Sequence, residues 1–316
     1  AQAIVRHAHA HGEVHTLADF AQHTADWVTP LAQDYRGATV HEIPPNGQGI
    51  AALIALGILG HFDIAGHPPD SVASQHLQIE AMKLGFADAY RYVADPRTME
   101  FAPQQLLDPA YLASRARLID PSRAQDFGPG TPPKGGTVYI SAADATGVMV
   151  SLIQSNYMGF GSGVVVPGTG LSLQNRGAGF SLAPGHPNEV GGGKRPFHTI
   201  IPGFLTRGGA PLAAFGVMGG PIQPPAHVQT LTRLIDYGMN AQAILDAPRW
   251  KIDGAKLDLE AAAAPSLRAG LAALGHRIES TVDSYMDFGA GQYIVRTEGG
   301  YVCGSDPRRD GQATGF

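Results

Sequence analysis

The chain of 316 residues is 44% apolar and 16% charged, the balance of a globular protein with a sizeable core and not of a disordered or fibrous one. A net charge of −5 gives no electrostatic footing for nucleic acid or an anionic membrane. The single cysteine, Cys303, excludes an intramolecular disulfide framework and leaves the redox compartment open, and the longest apolar run, 50–59, is too short to span a bilayer.

The chain opens at Ala1 on a helical pattern, without a legible signal peptide. The cytoplasm is the expected compartment over the periplasm or exterior, and further chain is expected upstream. His7, His9 and His11 alternate along that helix, so His9 points away from the other two. They read as a solvated face and not as a metal site, and no metal ligand set or cofactor motif is read elsewhere.

The first 125 residues read as mainly helical. Gly47-Gln48-Gly49 leads as a loop into a buried helix beginning Ile50-Ala51-Ala52-Leu53-Ile54. Ile79, Met82, Phe86, Tyr90 and Val93 mark one face of a second helix, ended by Asp95-Pro96. From Phe127 to Gly136, seven of ten residues are Gly or Pro, a composition that predicts an exposed connection. A strand follows abruptly at Thr137-Val138-Tyr139-Ile140-Ser141. Asp144 to Gly147 has turn chemistry, and Val148 to Ile153 returns as a second strand. Strands and Gly-rich loops alternate to about Gly220. Val228, Leu231 and Ile235 mark a helix closed by Gly238, and short helices and strands complete a mixed α+β pattern.

A threonine at the start of a strand, behind a glycine, suits intramolecular cleavage of the backbone. Its hydroxyl can attack the Gly136 carbonyl, and hydrolysis of the ester frees an amine of pKa near ~7.7 that can serve as base for the same hydroxyl. The residues alone leave a second reading open, in which Thr137 is simply a good β-former.

Several motifs, in order, resemble those of the γ-glutamyltranspeptidase family over essentially the whole chain. They are His41-Glu42-Ile43-Pro44-Pro45-Asn46-Gly47-Gln48-Gly49, the strand pair from Thr137, Gly159-Phe160-Gly161-Ser162-Gly163, Lys194-Arg195-Pro196, Gly219-Gly220, Pro248-Arg249-Trp250 and Ser305-Asp306-Pro307-Arg308. The resemblance implies the four-layer αββα sandwich of N-terminal-nucleophile hydrolases. It also implies a proenzyme that cuts itself between Gly136 and Thr137, leaving residues 1–136 as the end of a large subunit and 137–316 as the small, catalytic one. Thr137 is then the nucleophile, Ser155 the hydroxyl bonded to its amine, and Gly219-Gly220 the oxyanion-hole pair. Without the resemblance, that glycine pair reads as a tight turn.

Substrate positions depart from the family pattern. Tyr157, Arg176 and Gly179 stand where the asparagine, glutamine and aspartate that hold a donor's α-amine are expected. His198 and Thr199 stand at the paired serines for the α-carboxylate, while the family's carboxylate-binding arginine is expected upstream of Ala1. A guanidinium repels an ammonium and pairs with a carboxylate. Arg176 therefore reads either as a carboxylate partner or as a brace for the carbonyls around residues 175–179. The pattern resembles the branch with glutaryl-cephalosporin acylases and oxamate amidohydrolase. It implies hydrolysis of a small carboxyacyl amide, without cofactor, by subunits cut from one precursor and able to form a homo-oligomer of heterodimers. True γ-glutamyl transfer or glutathione hydrolysis, and a processing-defective scaffold, are the other readings. Arg249, Asp306 and Arg308 read as structural ion pairs or turn residues, the glycine-rich loop 159–163 as a flexible neighbour of the site, and Cys303 as a small buried hydrophobe.

Overall fold

A computed structural model describes residues 1–127, 136–281 and 287–316. Most of the Gly/Pro connection, 128–135, lies outside the described residues.

Two short helices, α1 (Gln2–Ala10) and α2 (Leu17–Gln22), precede a hairpin of β1 (Leu31–Tyr35) and β2 (Ala38–Glu42). The first segment is mainly helical, as expected, and this hairpin is the part of it that the sequence reading did not include. Arg36 and Gly37, both at positive φ, close its two-residue turn. Helix α3 (Gly49–Leu59) follows and is buried on every side, as its unbroken apolar run requires. Helix α4 (Val72–Tyr92) packs along it, with Ile79, Met82 and Phe86 inward and a Ser71 cap, and α5 (Pro109–Ala116) completes the group.

Beyond the connection come β3 (Gly136–Ala143) and β4 (Met149–Tyr157), then the small ribbon β5 (Val165–Val166) and β6 (Leu171–Ser172). β7 (Gly203–Arg207) and β8 (Ala210–Met218) lead into α6 (Gln223–Ile235) and α7 (Ala241–Asp246). A three-stranded sheet forms from β9 (Trp250–Asp253), β10 (Lys256–Glu260) and, after α8 (Pro265–Ala273), β11 (Arg277–Thr281). β12 (Ala290–Thr297) and β13 (Gly300–Ser305) end the chain's regular structure.

The main sheet runs β1-β2-β7-β8-β12-β13, and every pairing in it is antiparallel. Alternation along β8 shows its two faces. Phe215 points to the helices, where it meets the His227 ring of α6 edge-on, and Gly216 points the other way, beneath Tyr139 of β3. The layers are thus helices, six-stranded sheet and the β3–β4 hairpin. Val138, Ile140, Val150 and Leu152 lie on the hairpin's outward face, each roughly half exposed. No helix among the described residues is long and apolar enough to cross a membrane. Cys303 on β13 is only partly buried, a correction to its reading as a core residue.

Candidate active site

The inward face of the hairpin carries Thr137 and Tyr139, both buried. Pairing is regular from Ala143 with Met149 up to Val138 with Gln154, and the register then shifts so that Gly136 pairs with Tyr157. One step past the Val138 pair, Thr137 faces Ser155, and Thr137 Oγ1 donates to Ser155 Oγ at 3.2 Å. The shift gives β4 one extra residue here, the kind of bulge that re-aims side chains at a strand end. Ser155 Oγ also accepts the Tyr157 N–H at 2.9 Å. Ser155 was expected beside the nucleophile's amine; in the continuous chain it meets the hydroxyl.

Tyr139 fixes the hairpin to the main sheet. Its ring lies so close over Gly216 that a Cβ there would come within 2.4 Å of it. Its hydroxyl reaches Ser151 Oγ at 2.8 Å, and Ser151 donates to the Phe215 carbonyl at 3.2 Å.

The four substrate-binding candidates adjoin one another. Tyr157 ends β4 at a φ of 81°, a conformation that disfavours a bulky side chain, and its ring lies under the Arg176 guanidinium at 4.8 Å. Arg176 Nη1 donates to Thr199 Oγ1 at 3.0 Å. Arg176 Nη2 is buried and has no partner among the described residues. The side chain thus bonds a hydroxyl and covers a ring, which departs from the carbonyl brace that was one of its two readings. Burial draws Arg176 below the ordinary arginine range and pushes the Tyr157 phenol up.

His198 is stitched to the loop before α3. Its N–H donates to the Asn46 carbonyl and its carbonyl accepts the Gln48 N–H, both at 3.1 Å. The imidazole Nδ1 is closed off from solvent without a partner among the described residues. Burial, with Arg176 and Arg195 adding to it, pushes the ring down to about 4, so it is neutral at pH 7. Gly179 cannot accept the aspartate expected from the family pattern on this backbone, because a Cβ there would lie 2.4 Å from the Phe197 carbonyl oxygen.

Gly219 and Gly220 have φ of 133° and 73° and form the turn from β8 to α6, so the turn reading holds and leaves their amides free of Cβ crowding. Gln48, fully buried at the N-terminus of α3, donates through Nε2 to the Gly220 carbonyl at 2.9 Å and to the Thr199 carbonyl at 2.8 Å. It joins the glycine pair to the substrate-binding group. Sequence reasoning assigned Gln48 no role of its own, although a glutamine between two glycines at the mouth of an apolar helix was a usable signal. Gly289 packs against Gly219, whose Cβ would lie 2.9 Å from the Gly289 Cα. Arg249 Nη1 holds the adjacent Phe288 carbonyl at 2.9 Å.

A family model described as Gamma-glutamyltranspeptidase matches residues 1–316. The chain belongs to the γ-glutamyltranspeptidase family. It is 35% identical to the glutathione hydrolase-like YwrD proenzyme of Bacillus subtilis, over 100% of this chain and 61% of that protein. It is 37% identical to the oxamate amidohydrolase proenzyme of Klebsiella pneumoniae, over 95% of this chain and 58% of that one. The crystal structure of cephalosporin acylase from Bacillus halodurans superposes with a TM-score of 0.92 at 46% identity, covering 98% of this chain and 57% of that one. The chain therefore spans about three fifths of the length of these γ-glutamyltranspeptidase relatives. It has the family's α+β fold. Of the αββα layers, one helical layer, the six-stranded sheet and a hairpin of the facing sheet are among the described residues.

Proposed function

We propose that the protein is a self-processing amidohydrolase that cuts itself before Thr137 and hydrolyses a small carboxyacyl amide, glutaryl- or oxamate-like, through an acyl-Thr137 intermediate. The observation that carries this reading is Thr137 Oγ1 facing Ser155 Oγ at 3.2 Å on the buried face of the hairpin. In processing, the Thr137 hydroxyl attacks the Gly136 carbonyl, the acyl group moves from nitrogen to oxygen, and water cleaves the ester. Residues 1–136 and 137–316 then belong to separate subunits. In turnover the new amine takes the hydroxyl proton as Oγ1 attacks the substrate amide. The oxyanion is received at the Gly219-Gly220 turn, the leaving amine departs with the proton, and water releases the acid.

Arg176 supports a carboxylate on the acyl part. Its Nη2, without a partner among the described residues, suits an anion and repels the α-ammonium of a γ-glutamyl donor. The relatives named as an oxamate amidohydrolase and a cephalosporin acylase agree with such an acyl group.

Intact mass and N-terminal sequencing of the protein beside Thr137→Ala test the reading. The expected result is a new N-terminus at Thr-Val-Tyr-Ile-Ser that the variant lacks. Glutaryl p-nitroanilide is expected to be cleaved in preference to the γ-glutamyl compound. A folded chain left uncut in both proteins would overturn the mechanism, and preference for the γ-glutamyl compound would overturn the substrate class.

A further inference from the structure

Helix α4 and the residue entering β11 bring together three side chains that carry no part of the proposed chemistry. His76 and Glu80 stand one turn apart on α4, and His276 immediately precedes β11. All three are buried, and one donor atom from each lies within 4.8 Å of the others. Neither His76 nor Glu80 is near His276 in the chain, so the sequence offered no spacing from which to read the set.

Their outer atoms are anchored by backbone. His76 Nε2 donates to the Asp120 carbonyl at 2.9 Å, which leaves Nδ1 as a lone pair facing His276 Nε2 at 2.8 Å. Glu80 Oε2 accepts the Gln125 N–H at 3.1 Å. Imidazole and carboxylate ligands oriented in this way through their second polar atom are the usual setting of a metal site. His276 is held neutral, pushed down to about 3 by burial with Lys83 and His76 adding to it. A cation already occupies the remaining corner, where Lys83 Nζ donates to Glu80 Oε1 at 2.7 Å and to the Gln125 carbonyl at 2.8 Å. Lys83 is partly exposed and lines, with Gln125, Gly275 and His276, a cavity of about 190 Å³ that gives access to the cluster.

We propose that His76, Glu80 and His276 bind one divalent transition ion of the Zn²⁺ class, which replaces the Lys83 ammonium. Two imidazoles and a carboxylate suit that ion, with water from the cavity as a fourth ligand. On binding, His76 Nδ1, His276 Nε2 and Glu80 Oε1 each give a lone pair. The proton on His276 Nε2 moves to Nδ1, which is buried and has no partner among the described residues, so no proton need leave the site. Because α4 precedes Thr137 and β11 follows it, the ion is a tie between the two segments and not a catalytic group.

Chelator-stripped protein titrated with Zn²⁺ alone, followed by calorimetry and thermal unfolding, tests the site. The expected result is one equivalent bound with a rise of several degrees in Tm. His276→Ala should weaken binding by about 100-fold or more, and Lys83→Met, which removes the competing cation, should tighten it by about tenfold. Absence of one-equivalent binding in both the wild type and Lys83→Met overturns the proposal. So does binding that His276→Ala leaves intact, which would place the ion elsewhere, for example at His7 and His11, whose rings lie 4.2 Å apart near the N-terminus. If His276→Ala does not fold, unchanged affinity in Lys83→Met overturns the proposal and tighter binding supports it.

Discussion

A guanidinium stacked on Tyr157 and bonded through Nη1 to Thr199 still leaves Nη2 buried and unpartnered among the described residues. An unsatisfied buried group of this kind costs about 1–3 kcal/mol, which a bound carboxylate would relieve. Arg176→Met is therefore expected to raise KM for a carboxyacyl amide by about 10- to 100-fold with kcat little changed, the loss of one charge-assisted contact. Arg176→Lys should recover only part of it, since the planar fork is gone. An unchanged KM in Arg176→Met would leave the side chain as a support for Tyr157 and Thr199 alone. His198 acts through proton linkage. Its folded value near 4 lies below the ordinary 6.5, so between these values the unfolded chain binds a proton that the folded chain does not. Stability therefore rises with pH across that window and is lost as pH falls from about 6.5 to about 4, by up to about 3 kcal/mol. His276, lowered in the same direction, keeps its own slope in any His198 variant. The readout is thus the difference between wild type and His198→Gln in denaturant midpoints at pH 7 and pH 4.5. Parallel losses in the two proteins would show that His198 is not linked to folding.

At the scale of elements, what could be read in the sequence was what local chemistry sets. The spacing of Ile79, Met82 and Phe86 revealed α4. The unbroken apolar run revealed α3, and the turn residues at Asp144 to Gly147 revealed the β3–β4 hairpin. β1 and β2 were missed because their inward residues include Glu42. That carboxylate is buried only because His227, on α6, pairs with it at 2.7 Å, and no local pattern announces a partner so distant in the chain. Burial pushes the Glu42 carboxyl up and His227 opposes that shift, so the pair also belongs to the folded core. The candidate site divides in the same way. Thr137 and Ser155 face each other through the register of one hairpin, and the strand pair was read. The hydrogen bonds of Gln48 to Gly220 and Thr199, and the packing of Phe197 that excludes any side chain at Gly179, arise from segments far apart in the chain.

Across the whole molecule, one buried charge cluster ties the last third of the chain together and reaches the glycine turn. Arg249, Glu260, Asp306 and Arg308 are all buried, two cations with two anions. Arg308 grips Glu260 through Nε at 2.8 Å and Nη2 at 2.6 Å and meets Asp306 at 3.1 Å, and Asp306 also pairs with Arg249. The outer bonds run to the backbone. Arg308 reaches the Leu245 carbonyl on α7, Asp306 accepts the Gly291 N–H on β12, and Arg249 holds the Phe288 carbonyl beside Gly289. Exposed pairs such as Lys256 with Glu279 are screened by water and weaken with salt. The buried cluster differs in kind, because removing the Asp306 charge takes its carboxylate from the fully buried Arg249 guanidinium, while Arg308 keeps Glu260. Asp306→Asn keeps the shape, removes the charge and turns an amide donor toward either Arg249 or Arg308. It is expected to lower unfolding stability by about 3–5 kcal/mol, with little dependence on salt up to about 1 M. Because the clamp ends at the Phe288 carbonyl, and the next residue, Gly289, packs against Gly219, the folded fraction of the variant should also lose kcat more than KM. Denaturant unfolding at low and high salt, with kinetics on the folded protein, measures both effects. A loss below about 1 kcal/mol would mean that water reaches the cluster and screens it as it does a surface pair. A stability loss with kcat intact would confine the cluster's role to folding and separate it from the turn at Gly219.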